Sequence, residues 1–161
     1  MLTPVQEDYM EIVYLLETER GSGNVRITDI ANELGTRLPT VTRTVQKLSR
    51  LGYLEHSERR SVSLSGQGLK VAREIVHRHR DLVWFFTDLL GLPRREAELD
   101  ACQIEHGVSS RTAQRLHEFL EYVSGLDDKD SEIFEKFRRK ASGGRKNFRN
   151  LPAGRSRGWR A

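Results

Sequence analysis

The chain has 161 residues, 37% hydrophobic and 31% charged, with 27 basic against 23 acidic side chains and a net charge of +4. That length suits one ordinary domain, or a small domain with an appendage, and argues against a deep multi-domain enzyme. No run of about 18 apolar residues is present to span a bilayer, Met1 to Asp8 lack the basic-then-apolar layout of a signal peptide, and the lone Cys102 cannot close an internal disulfide, which together predict a cytoplasmic chain without membrane contact.

The charge is unevenly placed. Residues 1–19 carry 5 acidic and no basic groups, 20–80 carry 12 basic and 5 acidic, 81–135 carry 5 basic and 13 acidic, and 136–161 carry 10 basic and no acidic. The first basic block is where a polyanion would dock, with a solvated charged surface as the plain alternative.

In chain order, Val5, Tyr9, Ile12, Val13 and Leu16 repeat at helical spacing over residues 5–20, ahead of the turn cluster Gly21-Ser22-Gly23-Asn24. A short helix over 28–34, with Thr28 as N-cap, stops at Gly35. Pro39 then opens a helix to about Leu51, with Val41, Val45 and Leu48 inward and Gly52 closing it. Two short strands, 53–56 and 62–64, flank the polar tip 57–61. A long helix over 65–90 follows, with Leu69, Ala72, Ile75, Val76, Leu82, Val83, Phe86 and Leu90 on its apolar side and Gly91 as its stop. Helices over about 94–107, 110–124 and 128–140 come next. The stretch from Ala141, with six basic residues, four glycines and no acid, reads as a disordered tail.

A helix, a short glycine-containing turn, a second helix and a hairpin with arginines at its tip is the order of a winged helix-turn-helix. The second helix would enter the major groove, presenting Pro39, Thr40, Thr42, Arg43 and Gln46, residue types that suit base readout. Arg37, Lys47 and Arg50, with Arg59 and Arg60 at the tip, suit phosphate contacts. An ordinary helical hairpin with a basic face is the competing reading. Against it, no carboxylate occurs from Leu34 to Leu54.

A second group lies on other helices. Asp8 and Glu11 stand three apart; Cys102, Glu105 and His106 stand at i, i+3 and i+4; and His79 falls on the inward side of the long helix. Divalent transition metals use such ligands. Spacing alone leaves open that His79 is a packed histidine, Cys102 a small buried hydrophobe, and Asp8 and Glu11 partners of the helix dipole.

The stretch Glu7 to Leu16, the helix-turn-helix from Ile27 to Leu51, the wing leading into Leu64-Ser65-Gly66-Gln67-Gly68, the pair Arg78-His79, and Cys102-Gln103-Ile104-Glu105-His106-Gly107-Val108-Ser109 resemble the diphtheria-toxin-repressor family of metal-dependent transcription factors, in its short manganese-regulator branch. The likeness covers roughly residues 4–124. It implies a mainly α fold with a small β-hairpin: a winged helix-turn-helix DNA-binding domain over 1–72, a helical metal-binding and dimerisation domain over 73–140, and the basic tail over 141–161. It implies a homodimer that represses metal-uptake genes at a palindromic double-stranded DNA operator, with Mn²⁺ or Fe²⁺ as co-repressor and Zn²⁺ or Co²⁺ as further candidates. Carried over by position, the ligands fall on Asp8, Glu11, His79, Cys102, Glu105 and His106. Asp8 follows the manganese branch, where the iron branch has methionine, whereas cysteine at 102 follows the iron branch, where manganese regulators place glutamate. Val83 and Glu98 stand where the iron branch's ancillary site has glutamate and histidine. The dimer surface is expected from Trp84, Phe85, Phe86, Leu116, Phe119, Leu120 and Val123, with packing inside the subunit as the competing account. A winged-helix regulator responding to a non-metal ligand is the alternative function. A metal-dependent enzyme fares worst, because no nucleophile, general base or substrate loop stands beyond the ligands.

Overall fold

The computed structural model describes residues 2–56, 61–126 and 128–142, with side chains of the last segment from 132 to 140. The expected wing-tip residues Arg59 and Arg60, and the tail from residue 143, lie outside the described residues.

The first helix, α1, spans Pro4–Arg20. Its start is a reciprocal cap: the Gln6 N–H donates to Thr3 Oγ1 at 3.3 Å, and the Thr3 N–H donates to Gln6 Oε1 at 3.0 Å. The buried face is Gln6, Tyr9, Met10, Val13 and Leu16, so Met10 occupies the core while Val5, expected inward, is 60% exposed. A two-residue strand, β1 (Val25–Arg26), comes next; it is too short for any periodicity to announce it. Helix α2 (Ile27–Glu33) begins one residue before the expected Thr28 cap, because the Arg26 N–H finds the Asp29 carboxylate at 2.8 Å and Arg26 becomes the cap residue. Gly35, at φ 57°, makes the left-handed turn that a side chain resists, and the chain enters α3 (Leu38–Arg50) with Pro39 in its first turn.

The strands β2 (Leu54–His56) and β3 (Ser61–Leu64) pair antiparallel, with Leu54 opposite Leu64 and His56 opposite Val62. β1 adds to the free edge of β3, Val25 opposite Val62, giving a three-stranded sheet where sequence predicts a two-stranded hairpin. Side chains from α1, β1, α2, α3, β2, β3 and the start of α4 (Gly66–Trp84) enclose one core containing Met10, Val13, Val25, Ile30, Val41, Val45, Leu48 and Val62, with Ala72 and Ile75 as α4's contribution.

The α4 start is fastened to this core through backbone. Ser65 N–H donates to the Tyr53 carbonyl at 3.0 Å, Ser65 Oγ donates to the Gly52 carbonyl at 2.6 Å, and Gly68 N–H donates back to Ser65 Oγ at 2.9 Å. Gly68 is so close that a Cβ there would lie 1.9 Å from the Tyr53 oxygen.

Past residue 80, α4 enters a second core of Leu82, Val83, Ala97 and Ala101, with Ala97 and Ala101 supplied by α5 (Arg94–Ile104). The helix expected to run to Leu90 keeps α-helical pitch only to Trp84. Phe85–Leu89 form a π-helical turn, with Leu90 N–H reaching the Phe85 carbonyl, while the Thr87 hydroxyl donates to the Val83 carbonyl at 3.0 Å. A third core joins Leu89 to Leu120 and Val123 of α6 (Ser110–Ser124), bordered by Phe134 of α7 (Asp128–Ser142).

Of the expected dimer surface, Leu120 and Val123 are buried within the subunit, while Trp84, Phe85, Phe86 and Leu116 are half-buried. Trp84, Phe85 and Leu116 pack on the third core, and Phe86 and Leu116 on the second. Phe119 stays exposed, as do Leu99, Ile104, Tyr122, Ile133 and Phe137. Among the described residues no helix is long and apolar enough to cross a membrane.

Candidate metal centre and nucleic-acid interface

Three stretches supply the chemistry. α1 offers Glu7, Asp8 and Glu11; α4 lies against it and offers Arg78 and His79; and a 3-10 turn, Glu105–Gly107, follows α5 against the same side of α4. Sequence spacing treats Cys102, Glu105 and His106 as one α-helical face. The pitch changes at Ile104, however, so Cys102 stays exposed on α5, Glu105 turns fully inward and His106 is half-buried.

His106 stands between carboxylates, its Nδ1 2.9 Å from Glu7 Oε2 and its Nε2 2.9 Å from Asp8 Oδ1 and 3.5 Å from Glu105 Oε1. His79 Nδ1 is 2.8 Å from Glu105 Oε2. Arg78 Nη2 donates to Glu7 Oε2 at 2.6 Å, so one carboxylate oxygen serves both a guanidinium and an imidazole.

The electrostatics follow from this crowding. Burial, the Glu105 charge and Asp8 push the Glu11 carboxyl up, against the pull of His79 and His106. The hydrogen bond to Glu105 holds the His79 imidazole above its ordinary value, overcoming burial. For His106 burial acts downward, yet the Glu7 hydrogen bond and the Asp8 and Glu105 charges more than offset it, and the net shift is upward. Burial raises the Cys102 thiol, with Glu105, Asp8 and Glu11 adding to it, so the thiolate is disfavoured.

Among the described residues, no group of three or more His, Cys, Asp or Glu side chains is disposed, as it stands, to hold a metal ion. The reason is visible in the distances: the imidazole nitrogens face carboxylates rather than a common centre. The donor set nonetheless suits a divalent cation. Glu105 is fully buried and its Oε1 has no hydrogen-bond partner, an acceptor that a cation beside Asp8 and His106 would satisfy. Carboxylates with imidazoles match Mn²⁺ or Fe²⁺, and a thiol shifts the preference toward softer ions.

Glu7 and Arg78 are the residues that sequence reasoning did not place in the cluster. Their adjacency to Asp8 and His79 was the available signal, and their mutual contact spans 71 positions of chain.

The first core also packs α3. Val41, Val45 and Leu48 are fully buried, so the helix must show its other face to solvent, and Arg37, Pro39, Thr40, Arg43, Gln46, Lys47 and Arg50 are all exposed there. Thr42 is half-buried and its hydroxyl donates to the Leu38 carbonyl at 2.9 Å, while Arg43 Nε donates to the Pro39 carbonyl at 3.3 Å. The face carries hydroxyl, amide and cationic groups with no carboxylate, complementary to a phosphate backbone and to groove edges.

Residues 1–62 match a family model described as the iron dependent repressor, N-terminal DNA binding domain, and residues 65–134 match the iron dependent repressor, metal binding and dimerisation domain. An HTH-type transcriptional regulator MntR of Bacillus subtilis (strain 168) is 32% identical over 133 residues, 83% of this chain and 92% of that protein. An uncharacterized HTH-type transcriptional regulator of Methanocaldococcus jannaschii is 32% identical over 115 residues, 71% of this chain and 91% of that protein. The solved structure of the manganese regulator SloR is similar with a TM-score of 0.64 at 27% identity, over 75% of this chain and 55% of that one. The chain therefore spans about half the length of that solved structure.

Proposed function

The chain belongs to the iron-dependent-repressor, or diphtheria-toxin-repressor, family in its manganese-regulator branch, and from that premise we propose that it is a homodimeric repressor of metal-uptake genes with Mn²⁺ or Fe²⁺ as co-repressor. It is a DNA-binding transcriptional regulator and not an enzyme. The DNA-binding half is residues 1–72, and the metal-binding and dimerisation half is residues 73–140.

One observation carries the reading: Asp8 and Glu11 belong to the helix that builds the DNA-binding core, and they meet His79, Glu105 and His106, the last two from the turn beyond the second core. Asp8, Glu11, His79, Cys102, Glu105 and His106 would hold the ion. When bound, it supplies positive charge that four neighbouring carboxylates, Glu7, Asp8, Glu11 and Glu105, otherwise draw from two imidazoles and Arg78. Glu105 orients His79 through its Oε2, and Glu7 orients His106 while anchored by Arg78. α1 is thereby tied to the 3-10 turn, which fixes the angle at which α3 is carried. Arg37, Lys47 and Arg50, with Arg59 and Arg60, contact phosphates of a palindromic operator; Pro39, Thr40, Thr42, Arg43 and Gln46 face its bases. An ion that favours this arrangement favours DNA binding by the same free energy.

The test is a mobility-shift titration on duplexes selected from random sequence in the presence of Mn²⁺. Retention is expected with added Mn²⁺ or Fe²⁺ and loss in chelator, in Asp8→Ala and in His106→Ala. Equal retention in chelator overturns the proposal.

A further inference from the structure

The face of α4 turned away from His79 carries a second set of ligand-type side chains. His77 and Asp81 stand one turn apart on α4, and His117 and Glu121 one turn apart on α6, so each helix offers a histidine and a carboxylate on one face. The two pairs meet across the helices. His117 Nδ1 lies 3.0 Å from Asp81 Oδ2 and its Nε2 lies 3.5 Å from Glu121 Oε1, while the rings of His77 and His117 are 6.3 Å apart between centroids, at 66°. His77, Asp81 and His117 line a cavity of about 430 Å³ with Glu74 and Arg78. Arg78 also lies beside the cavity, and its charge is engaged by Glu7 at 2.6 Å.

We infer that His77, Asp81, His117 and Glu121 form a second divalent-cation site, two imidazoles and two carboxylates, suited to a tetrahedral ion such as Zn²⁺. Geometry and ligand type both support this. An imidazole nitrogen sits ~2.0–2.1 Å from zinc, so two rings sharing one tetrahedral ion have centroids ~5.2 Å apart. The observed 6.3 Å needs a closure of roughly 1 Å, within the reach of small rotations. As they stand His117 pairs with Asp81 and Glu121 while His77 meets it ring to edge, and the His117 and Glu121 side chains are 46% and 70% exposed, so solvent leaves them room to turn. The two clusters share donor types and differ in number: four donors here are what a tetrahedral Zn²⁺ takes, whereas the first cluster offers six, nearer the octahedral shell of Mn²⁺. A bound ion would staple α6 to α4 within the helical half. The inference stands apart from the co-repressor reading, because none of the four residues belongs to that cluster.

The experiment uses the full chain carrying Asp8→Ala, Cys102→Ala and His106→Ala, which remove the thiol and two other ligands of the first cluster, and compares it with the same chain carrying His77→Ala and His117→Ala in addition. Zn²⁺ is titrated against a chromophoric chelator, and circular dichroism of each protein in chelator confirms the fold. One Zn²⁺ per chain is expected in the first protein and none in the second. In the otherwise native chain, Asp81→Asn should weaken the Zn²⁺ held here about tenfold or more and leave Mn²⁺ stoichiometry unchanged. Zn²⁺ stoichiometry and affinity that do not depend on His77, His117 or Asp81 overturn the inference.

Discussion

Glu7→Gln isolates the role of a residue that is not itself a proposed ligand. Glu7 Oε2 accepts from Arg78 Nη2 at 2.6 Å and faces His106 Nδ1 at 2.9 Å, and the three side chains are only 19%, 13% and 13% exposed. Removing one partner of a fully buried ion pair costs ~3–5 kcal/mol. Here a glutamine oxygen can still accept one hydrogen bond and water reaches the edge, so a stability loss of about 1–2 kcal/mol is expected in chelator. The effect on the metal site should be separate. An outer carboxylate that orients a histidine ligand is worth about 10–100-fold in metal affinity, or ~1.4–2.7 kcal/mol. Calorimetric Mn²⁺ titration of the parent, Glu7→Gln and Glu7→Ala chains should therefore give a graded loss, because glutamine retains the acceptor without the charge and alanine retains neither. Thermal denaturation in chelator measures the stability part independently. A Glu7→Gln chain that is less stable yet binds Mn²⁺ as the parent does would refute the orienting role and leave Glu7 a packing residue.

Further outcomes follow from the same distances. His79 and His106 titrate above 6.5 and Glu11 above 4.5 in the folded chain, so their stabilisation is present at low pH and lost as pH rises through those raised values. In chelator the melting temperature should fall from pH 6 to 8, while Mn²⁺ affinity rises over the same interval because protons and metal compete for the imidazoles; a flat Mn²⁺ affinity across that range contradicts the ligand assignment. Cys102→Glu replaces an exposed thiol with a hard oxygen donor and should move the order of DNA-activating ions toward Mn²⁺ and away from Co²⁺ and Zn²⁺, read by mobility shift with each metal in turn. Gly68→Ala places a Cβ 1.9 Å from the Tyr53 carbonyl oxygen and must displace the Ser65 cap, a combined cost of about 2–4 kcal/mol by denaturant unfolding; a change below ~0.5 kcal/mol shows that the α4 start is looser than drawn.

The helices were legible because their apolar spacing and their stops are local: Pro39 and Gly52 bracket α3, and α6 spans Ser110–Ser124 as expected. Features set by tertiary contact or by pitch were not. Nothing in the run from Phe85 to Leu89 announces that the helix widens there, because the change is in which carbonyls the N–H groups reach and in where the Thr87 hydroxyl bonds. The tightening after Ile104 sends Cys102 and Glu105 to different environments even though their spacing fits one face. Val25-Arg26 becomes a strand only because β3 has an edge to offer. Glu7 was hidden for a different reason: its partners, Arg78 and His106, are 71 and 99 positions away, and its adjacency to Asp8, the one local signal, does not distinguish an orienting carboxylate from a solvated one.

α4 gives Ala72 and Ile75 to one core and Leu82 and Val83 to the next, and the side chains of His79 and Arg78 project from the stretch between. No flexible linker separates the two halves at this point; a continuous helix joins them. Chimeras that exchange recognition modules among relatives would therefore have to be spliced inside a helix and in phase. One extra residue between Ile75 and Arg78 would turn everything downstream by about 100° and advance it ~1.5 Å, carrying His79, Glu105 and His106 together away from Asp8 and Glu11 of α1 while both cores stayed intact. The length of that segment is thus as much a specification of the sensor as any of its side chains.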